Sequence, residues 1–187
     1  NRPLKALKAF GVAISKATII EFVLDAMLRQ AELPPDYFQR VEIKKIPIRL
    51  QMLLSNEVAL AVLPEPLMAL ARARGGEALL TDEHLDMPLT VVCLREELAL
   101  DPAARKAFLA AYGEAVRRIN ERPDDYRGLM VETCRIPRAL AADFPVYRYP
   151  PPALPTKAEI EAVQQWMRSK GLLKQAISYR RITAPAP

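Results

Sequence analysis

The sequence predicts an α/β fold in which helices flank a parallel-type sheet and the C-terminal half is mainly helical. Three observations predict it. Short apolar runs alternate with helical apolar spacings in the first half of the 187-residue chain. Apolar residues make up 51% of the chain, which is enough to form a buried core. From Asp101 onward, helix start signals and helical spacing dominate.

The first half contains three predicted strand–helix units. Their strands are Ala9–Ser15, Val41–Ile46 and Val58–Leu63, and the last is a continuous apolar run typical of a central parallel strand. Between the first two strands, an apolar stripe recurs at helical spacing: Ile20, Val23, Leu24, Met27 and Leu28. Pro47 can open the second helix, and Leu67–Arg74 predicts a short third one.

Two further strands are predicted before the helical half begins. Ala78–Leu80 is the weaker candidate and Leu89–Leu94 the stronger one. Cys93 lies inside the second run, so we expect it to be a buried small hydrophobic residue. A disulfide to Cys134 is the less favoured alternative, and with His84 as the single histidine no zinc-ligand spacing exists.

Helix start signals mark the second half. Asp101 followed by Pro102 predicts an N-cap and first turn, and a second helix is expected from Pro123 to about Thr133. Ala142–Pro155 is rich in proline and aromatic residues, which predicts an extended crossing segment.

The last predicted helix has the clearest boundaries. Thr156 and Glu159 form a capping box, and Gly171 fits the C-terminal cap. Its expected buried face carries Ile160, Val163, Trp166 and Met167. Because the helices of this half have apolar faces but little sheet to cover, we expect that a partner layer is absent. Self-association through the uncovered helical face is an alternative way to cover it.

Composition disfavours several classes of protein. The net charge is +5, but acids are interspersed, such as Glu114 near Arg117 and Arg118, so we expect solvated helix faces and no nucleic-acid partner. No apolar run approaches the roughly 18 residues needed to span a bilayer, so we expect a soluble chain. The lone His84 has no nucleophile motif nearby, and G-x-S-x-G, P-loop and G-x-G-x-x-G motifs are missing. We therefore expect no enzyme activity, no metal and no cofactor.

Three stretches resemble one protein family. Arg49–Pro66 reads RLQMLLSNEVALAVLPEP. It resembles the R-x-x-x-L-L-x-G-x-x-D-A-x-x-x-P-E-P stretch of periplasmic substrate-binding proteins of ABC transporters, in the subgroup that serves sulfonate, nitrate and thiamine-precursor transporters. Lys5–Leu28 looks like that family's strand, polar turn and helix. Trp166 followed by Lys170–Leu173 is similar to its W-x-x-x-x-G-L-L ending.

The resemblance implies a periplasmic binding protein type II-like fold with two α/β lobes. Residues 5–92 would form the second lobe. Residues 93–187 would be the return crossing and the C-terminal helices of an incomplete first lobe. Asn56 stands where the family has glycine, and asparagine also enters left-handed turns. Ala59 stands where aspartate is usual, so the role of that carboxylate is not carried over.

Ligands of doubly wound sheets bind at the carboxyl ends of the strands, and three predicted strand ends carry candidate ligand-binding residues. These are Ser15, Lys16, Ala17, Thr18, Arg49 and Glu65. The first four open a helix whose N–H groups and dipole attract an anion, although N-capping by Ser15 or Thr18 needs no ligand. Arg49 can clamp an anion with its planar fork or be a solvated surface residue. Glu65 can accept from a ligand N–H or cap the helix that follows it.

The resemblance implies a solute receptor and not an enzyme. Such a receptor closes two lobes over a small anionic or heteroaromatic ligand and presents it to the ABC permease in the membrane. Its expected location is the periplasm, or the outer face of a membrane as an anchored lipoprotein. Two alternatives of the same fold stay open. The pyrimidine synthases of thiamine biosynthesis need a cysteine-rich motif, and the effector domains of LysR-type regulators need an N-terminal helix-turn-helix.

Overall fold

The computed structural model describes residues 4–85, 89–142 and 144–183. The structure is α/β, with a small parallel sheet and about half of the residues in helices. The chain divides into two compact units, which we name unit 1 (Asn1–Met87) and unit 2 (Pro88–Pro187). This division lies a few residues before the predicted boundary at residue 93, and the assignment of the parts to two lobes stays a prediction.

Unit 1 contains a three-stranded parallel sheet. Strand β1 is Val12–Ile14, β2 is Arg40–Glu42 and β3 is Leu60–Ala61. The strand order is β2-β1-β3, and Val12 stands opposite the first residue of each neighbouring strand. All three residues of β1 are buried because it is the central strand.

Three α-helices connect or follow these strands. Helix α1 is Ile19–Gln30, α2 is Ile46–Leu54 and α3 is Leu67–Ala73, and a 3-10 turn precedes β1 at Leu4–Leu7. The predicted apolar stripe of α1 is confirmed, since four of its five residues are buried. Leu28 is 1% exposed, and burial of such a side chain is worth about 1.5–3 kcal/mol.

Four of the strand predictions fail in whole or in part. The predicted strand Val41–Ile46 is shorter than expected, because β2 ends at Glu42 and Ile46 already begins α2. Val58–Leu63 was expected to be a central strand, but only Leu60–Ala61 pairs, at an edge, because β1 takes the central position. Ala78–Leu80 and Leu89–Leu94 form no strand. An apolar run favours β-structure, but a strand also needs a neighbour to complete its backbone hydrogen bonds, and within the described residues none pairs with these two.

The prediction that Cys93 is buried is also wrong. The run around it is exposed, with Val91 at 65% and Val92 at 58%. Cys93 and Cys134 are both exposed and free, so they form no disulfide.

Unit 2 contains five helices in its described residues and no strand. They are α4 (Glu96–Leu100), α5 (Pro102–Glu121), α6 (Pro123–Thr133), α7 (Lys157–Ser169) and α8 (Tyr179–Ile182), with a 3-10 turn at Arg138–Leu140. The predicted N-cap of α5 is confirmed, because Asp101 Oδ1 accepts the N–H groups of Ala103 at 2.8 Å and Ala104 at 3.2 Å.

Helix α7 has the predicted ends, and its buried face matches the prediction only in part. Both hydrogen bonds of the capping box between Thr156 and Glu159 are present. Val163 is 39% exposed, whereas Gln164 is 9% exposed. The Gln164 amide donates to the carbonyl of Ile177 at 3.0 Å and accepts its N–H at 2.6 Å. Ile160, Trp166 and Met167 of the predicted face are half-buried. Gln164 lies on the same side of the helix and is the most buried residue there, because it completes the backbone hydrogen bonds of a neighbouring segment.

A second amide holds the proline-rich segment. Asn120 Nδ2 donates to the carbonyl of Tyr149 at 2.7 Å, and the N–H of Tyr149 donates back to Asn120 Oδ1 at 2.9 Å. The segment has neither helix nor strand from residue 145 to 156. It is thus fixed to the end of α5 by side-chain hydrogen bonds.

Five helices end in the same turn, which places the residue after the cap at positive φ. The five residues are Glu32, Asn56, Gly75, Arg135 and Gly171. In each case the next residue's N–H bonds back to a carbonyl of the last helical turn, as from Leu172 to Met167 at 2.8 Å. The expectations for Asn56, as a left-handed turn, and for Gly171, as a helix end, are confirmed.

The basic residues on α5 form exposed ion pairs. Arg117 donates to Glu114 at 2.9 Å and to Glu121 at 2.6 Å, and Arg118 donates to Glu114 at 2.7 Å. The hydrogen bond from Arg117, followed by that from Arg118, lowers the pKa of the Glu114 carboxyl to about 2. These residues form the solvated helix face that the sequence predicted.

Candidate functional site

The candidate site is the edge of the sheet where the three parallel strands end, which we name the carboxyl edge. Ser15–Thr18 follows β1, Ile43–Lys45 follows β2, and Val62–Pro66 follows β3. The chain adds β2 on one side of β1 and β3 on the other. In open α/β sheets, ligands bind where the strand order reverses in this way, so the crevice lies between the ends of β1 and β3.

Arg49, in the first turns of α2, connects all three strand ends. Its side chain is 0% exposed. Nη1 donates to the carbonyl of Val62 at 2.5 Å, and Nη2 donates to the carbonyl of Ile43 at 2.9 Å. Nη2 also donates to the hydroxyl of Ser15, and Nε donates to Ile43 at 3.3 Å. The planar guanidinium therefore satisfies acceptors from three directions, which a lysine could not do.

The surroundings of Arg49 carry no compensating charge. Its acceptors are two carbonyls and a hydroxyl, and within the part of the chain that the structure describes no carboxylate pairs with it. Burial lowers the pKa of its guanidinium, but an arginine keeps its proton in a protein. The carboxyl edge thus contains a buried and unneutralised positive charge. Of the two sequence interpretations, the solvated surface arginine is wrong.

Ser15 is 7% exposed and points inward. Its hydroxyl accepts from Arg49 and donates to the carbonyl of Lys44 at 3.3 Å. The hydroxyl therefore ties the end of β1 to the chain after β2. In this arrangement the hydroxyl proton is donated to Lys44, and the hydroxyl oxygen already accepts a hydrogen bond from Arg49.

Lys16, Ala17 and Thr18 are exposed. Thr18 is the N-cap of α1: its Oγ1 accepts the N–H of Ile20 at 3.2 Å and donates to the carbonyl of Ser15 at 2.7 Å. Ala17 has φ 58 and donates its N–H to Glu21 at 2.7 Å. The N–H groups of Lys16 and Thr18 have no acceptor among the described residues. Capping by Thr18 is thus present, and two neighbouring donors are left at the helix start.

A buried ion-pair cluster next to this turn was not predicted. Glu21 and Asp25, each 7% exposed, lie one turn apart on the buried side of α1. Arg40 bonds to Glu21 at 2.6 Å and also to Asp25. Burial opposes the charge of Arg40, but the hydrogen bonds that it donates to Asp25 and Glu21 outweigh this effect and raise its pKa. The sequence carries one signal for this cluster: Glu21 and Asp25 lie four residues apart among the apolar positions of α1.

Glu65 caps a helix. Its Oε2 accepts the N–H of Ala69, in the first turn of α3, at 3.1 Å, and the Glu65–Pro66 peptide bond is cis. The residue is half-buried. Its position at the end of β3 matches the sequence expectation, and contact with a ligand stays a prediction.

An open hollow of about 300 Å³ lies elsewhere in unit 1, beside the last turn of α1. Its lining includes Met27, Gln30, Leu80 and His84. Gln30 Nε2 donates to the carbonyl of His84 at 3.1 Å. His84 is exposed, as predicted. The hollow is at the opposite end of α1 from the carboxyl edge and brings no acid, base and nucleophile together.

No family model, no curated protein and no solved structure matches this chain. Within residues 4–85, 89–142 and 144–183, no helix has the length and apolar character needed to cross a membrane. The same residues contain no cluster of histidine, cysteine and acidic side chains suited to a metal ion.

Proposed function

We propose that the chain is the solute-binding component of an ABC transporter and that it captures a small ligand at the carboxyl edge. The observation that carries the proposal is the convergence of three strand ends on Arg49, a buried cation with neutral partners. The resemblance of Arg49–Pro66 to the periplasmic receptors supports it. Among ligands of the sulfonate, nitrate and thiamine-precursor types, the charge favours an anion.

The ligand would contact the exposed start of α1. The N–H groups of Lys16 and Thr18 would donate to its oxygens, aided by the dipole of the helix. Ala17 would line the turn, although its own N–H is already directed to Glu21. For a heteroaromatic ligand, the second oxygen of Glu65 would accept a ring N–H.

The proposed receptor works outside the cytoplasm, in the periplasm or as a lipoprotein anchored to the membrane. It closes two lobes of a type II-like fold on its ligand and delivers it to the permease. Binding would favour the closed state through contacts that only this state makes.

A thermal-shift screen of the chain against alkanesulfonates, nitrate and pyrimidine precursors tests this function. A ligand at one hundred times its Kd stabilises the folded state by about 2.7 kcal/mol, which raises Tm by several degrees. Sodium chloride at equal ionic strength is the control. Absence of stabilisation by every solute would argue against a receptor.

A further inference from the structure

We infer that Arg49 makes the carboxyl edge select anions over neutral solutes, and that it does so as a positioning residue without touching the ligand. The inference rests on the proposed function, because it assigns the origin of selectivity within that site.

Hydrogen bonding keeps the guanidinium of Arg49 away from the ligand. A guanidinium has five N–H donors, and that of Arg49 makes four hydrogen bonds inside the protein, to Ser15, Ile43 and Val62. The side chain is fully buried. A ligand could reach it only by separating the strand ends that it holds together. Through these hydrogen bonds, Arg49 fixes the shape of the carboxyl edge.

The charge of Arg49 acts at the edge through space. The nearby acids already have partners. Glu21 forms an ion pair with Arg40, and Glu42 Oε1 lies 3.9 Å from Lys44 Nζ. Glu65 accepts the N–H of Ala69 in α3. A buried charge is screened by salt far less than an exposed one. Buried charges in proteins are normally paired. An anion at the start of α1 supplies the missing negative charge, whereas a neutral solute of the same shape does not.

The two exposed lysines that follow β2 are a competing source of selectivity. The Lys44 side chain is 81% exposed, and Lys45 is exposed as well. Their interaction with an anion would weaken as salt increases, because charges in water are screened over roughly 10 Å at 0.1 M salt and about 3 Å at 1 M. Selectivity from Arg49 would persist at high salt.

Isothermal titration of the whole chain with methanesulfonate and its neutral counterpart dimethyl sulfone tests the inference. In Arg49→Met we expect both ligands to bind more weakly because the fork is lost, and methanesulfonate to lose at least about tenfold more affinity than dimethyl sulfone. Arg49→Lys keeps the charge but not the fork, so it weakens both ligands and keeps the preference for the anion. Arg29→Gln, which removes one charge from the last turn of α1, serves as the control and behaves like the unmodified chain.

A second variant decides the question even if Arg49→Met does not fold. Lys44→Gln combined with Lys45→Gln changes exposed residues, and we expect it to retain the preference for methanesulfonate at both low and high salt. Loss of the preference in this variant, or an unchanged preference in a folded Arg49→Met, would overturn the inference. If the unmodified chain binds neither probe nor any other solute of the screen, the proposed function itself fails.

Discussion

Two arginines of unit 1 show how the same side chain behaves in different surroundings. Arg40 lies between Glu21 and Asp25, and these two acids raise its pKa. Arg49 is surrounded by neutral acceptors, and burial lowers its pKa. The first residue completes a buried ion-pair cluster that fixes α1 to the start of β2. The second leaves a positive charge next to the exposed turn at the start of α1.

Removal of Arg40 is expected to destabilise the chain strongly. In Arg40→Met, two buried carboxylates lose the ion pairs that Arg40 supplies, and loss of one member of a buried ion pair costs about 3–5 kcal/mol. Urea unfolding at neutral pH measures the change. Arg29→Met, at an exposed position of α1, is the control and should lie within about 0.5 kcal/mol of the unmodified chain.

Adding Glu21→Gln and Asp25→Asn to Arg40→Met should recover part of the lost stability, because two buried negative charges are then removed. An Arg40→Met variant as stable as the control would show that the cluster contributes nothing.

At the scale of the element, helix ends follow simple local rules in this chain. Five helices end at a residue with positive φ, and two of these residues are glycines. Glycine adopts this conformation without a steric penalty, whereas other L-residues pay about 1–2 kcal/mol. Asp101 and Thr156 cap helix starts with their side-chain oxygens.

The substitution of two glycines by alanine should have opposite effects. Gly171 has φ 71 and Gly128 lies inside α6, and an added Cβ meets nothing within 4 Å at either position. Gly171→Ala should lower the free energy of unfolding by about 1 kcal/mol. Gly128→Ala should raise it by about 0.5–1 kcal/mol. Thermal or urea unfolding of both variants measures the difference. No loss of stability in Gly171→Ala would contradict the assigned helix end, and a loss in Gly128→Ala would contradict the position of this glycine inside a helix.

Features that depend on nearby residues could be predicted from the sequence, and features that depend on distant ones could not. The N-caps, the capping box and the stripe of α1 involve residues within one or two turns. The position of β1 at the sheet centre depends on two distant pairings. The sequence identifies Arg49 as a candidate because it follows a predicted strand, but its burial depends on contacts such as that with Ser15, which is 34 residues away.

At the scale of the molecule, apolar side chains are buried very unevenly. Among the described residues, the buried apolar side chains are mostly in unit 1, whereas unit 2 buries Val116, Ile136 and Phe144. Large exposed apolar residues are mostly in unit 2, and they include Phe108 and Tyr112, whose rings stack at 6.2 Å. Apolar surface of this kind usually finds a partner. The expectation of helices without a covering layer stays a prediction.

We predict that the chain associates with itself through the face of α5 that carries Phe108 and Tyr112. Sedimentation should show an average mass that rises above 21.0 kDa as concentration increases. Phe108→Ser combined with Tyr112→Ser should shift the chain toward the monomer, because the stacked pair is removed. Lys106→Ser combined with Ala111→Ser, at exposed positions of the same helix, is the matched control. A monomer at all concentrations would contradict the prediction.

The most direct test of the central claim is an NMR titration of the 15N-labelled chain with methanesulfonate. Binding at the carboxyl edge predicts saturable shifts of the Lys16 and Thr18 amide signals, while the signals of Met27 and Ala31, beside the hollow at the other end of α1, stay in place. We expect a Kd below about 1 mM, which corresponds to a binding free energy stronger than about −4.1 kcal/mol. Shifts that do not saturate, or that occur only away from the start of α1, would contradict an anion receptor at this edge.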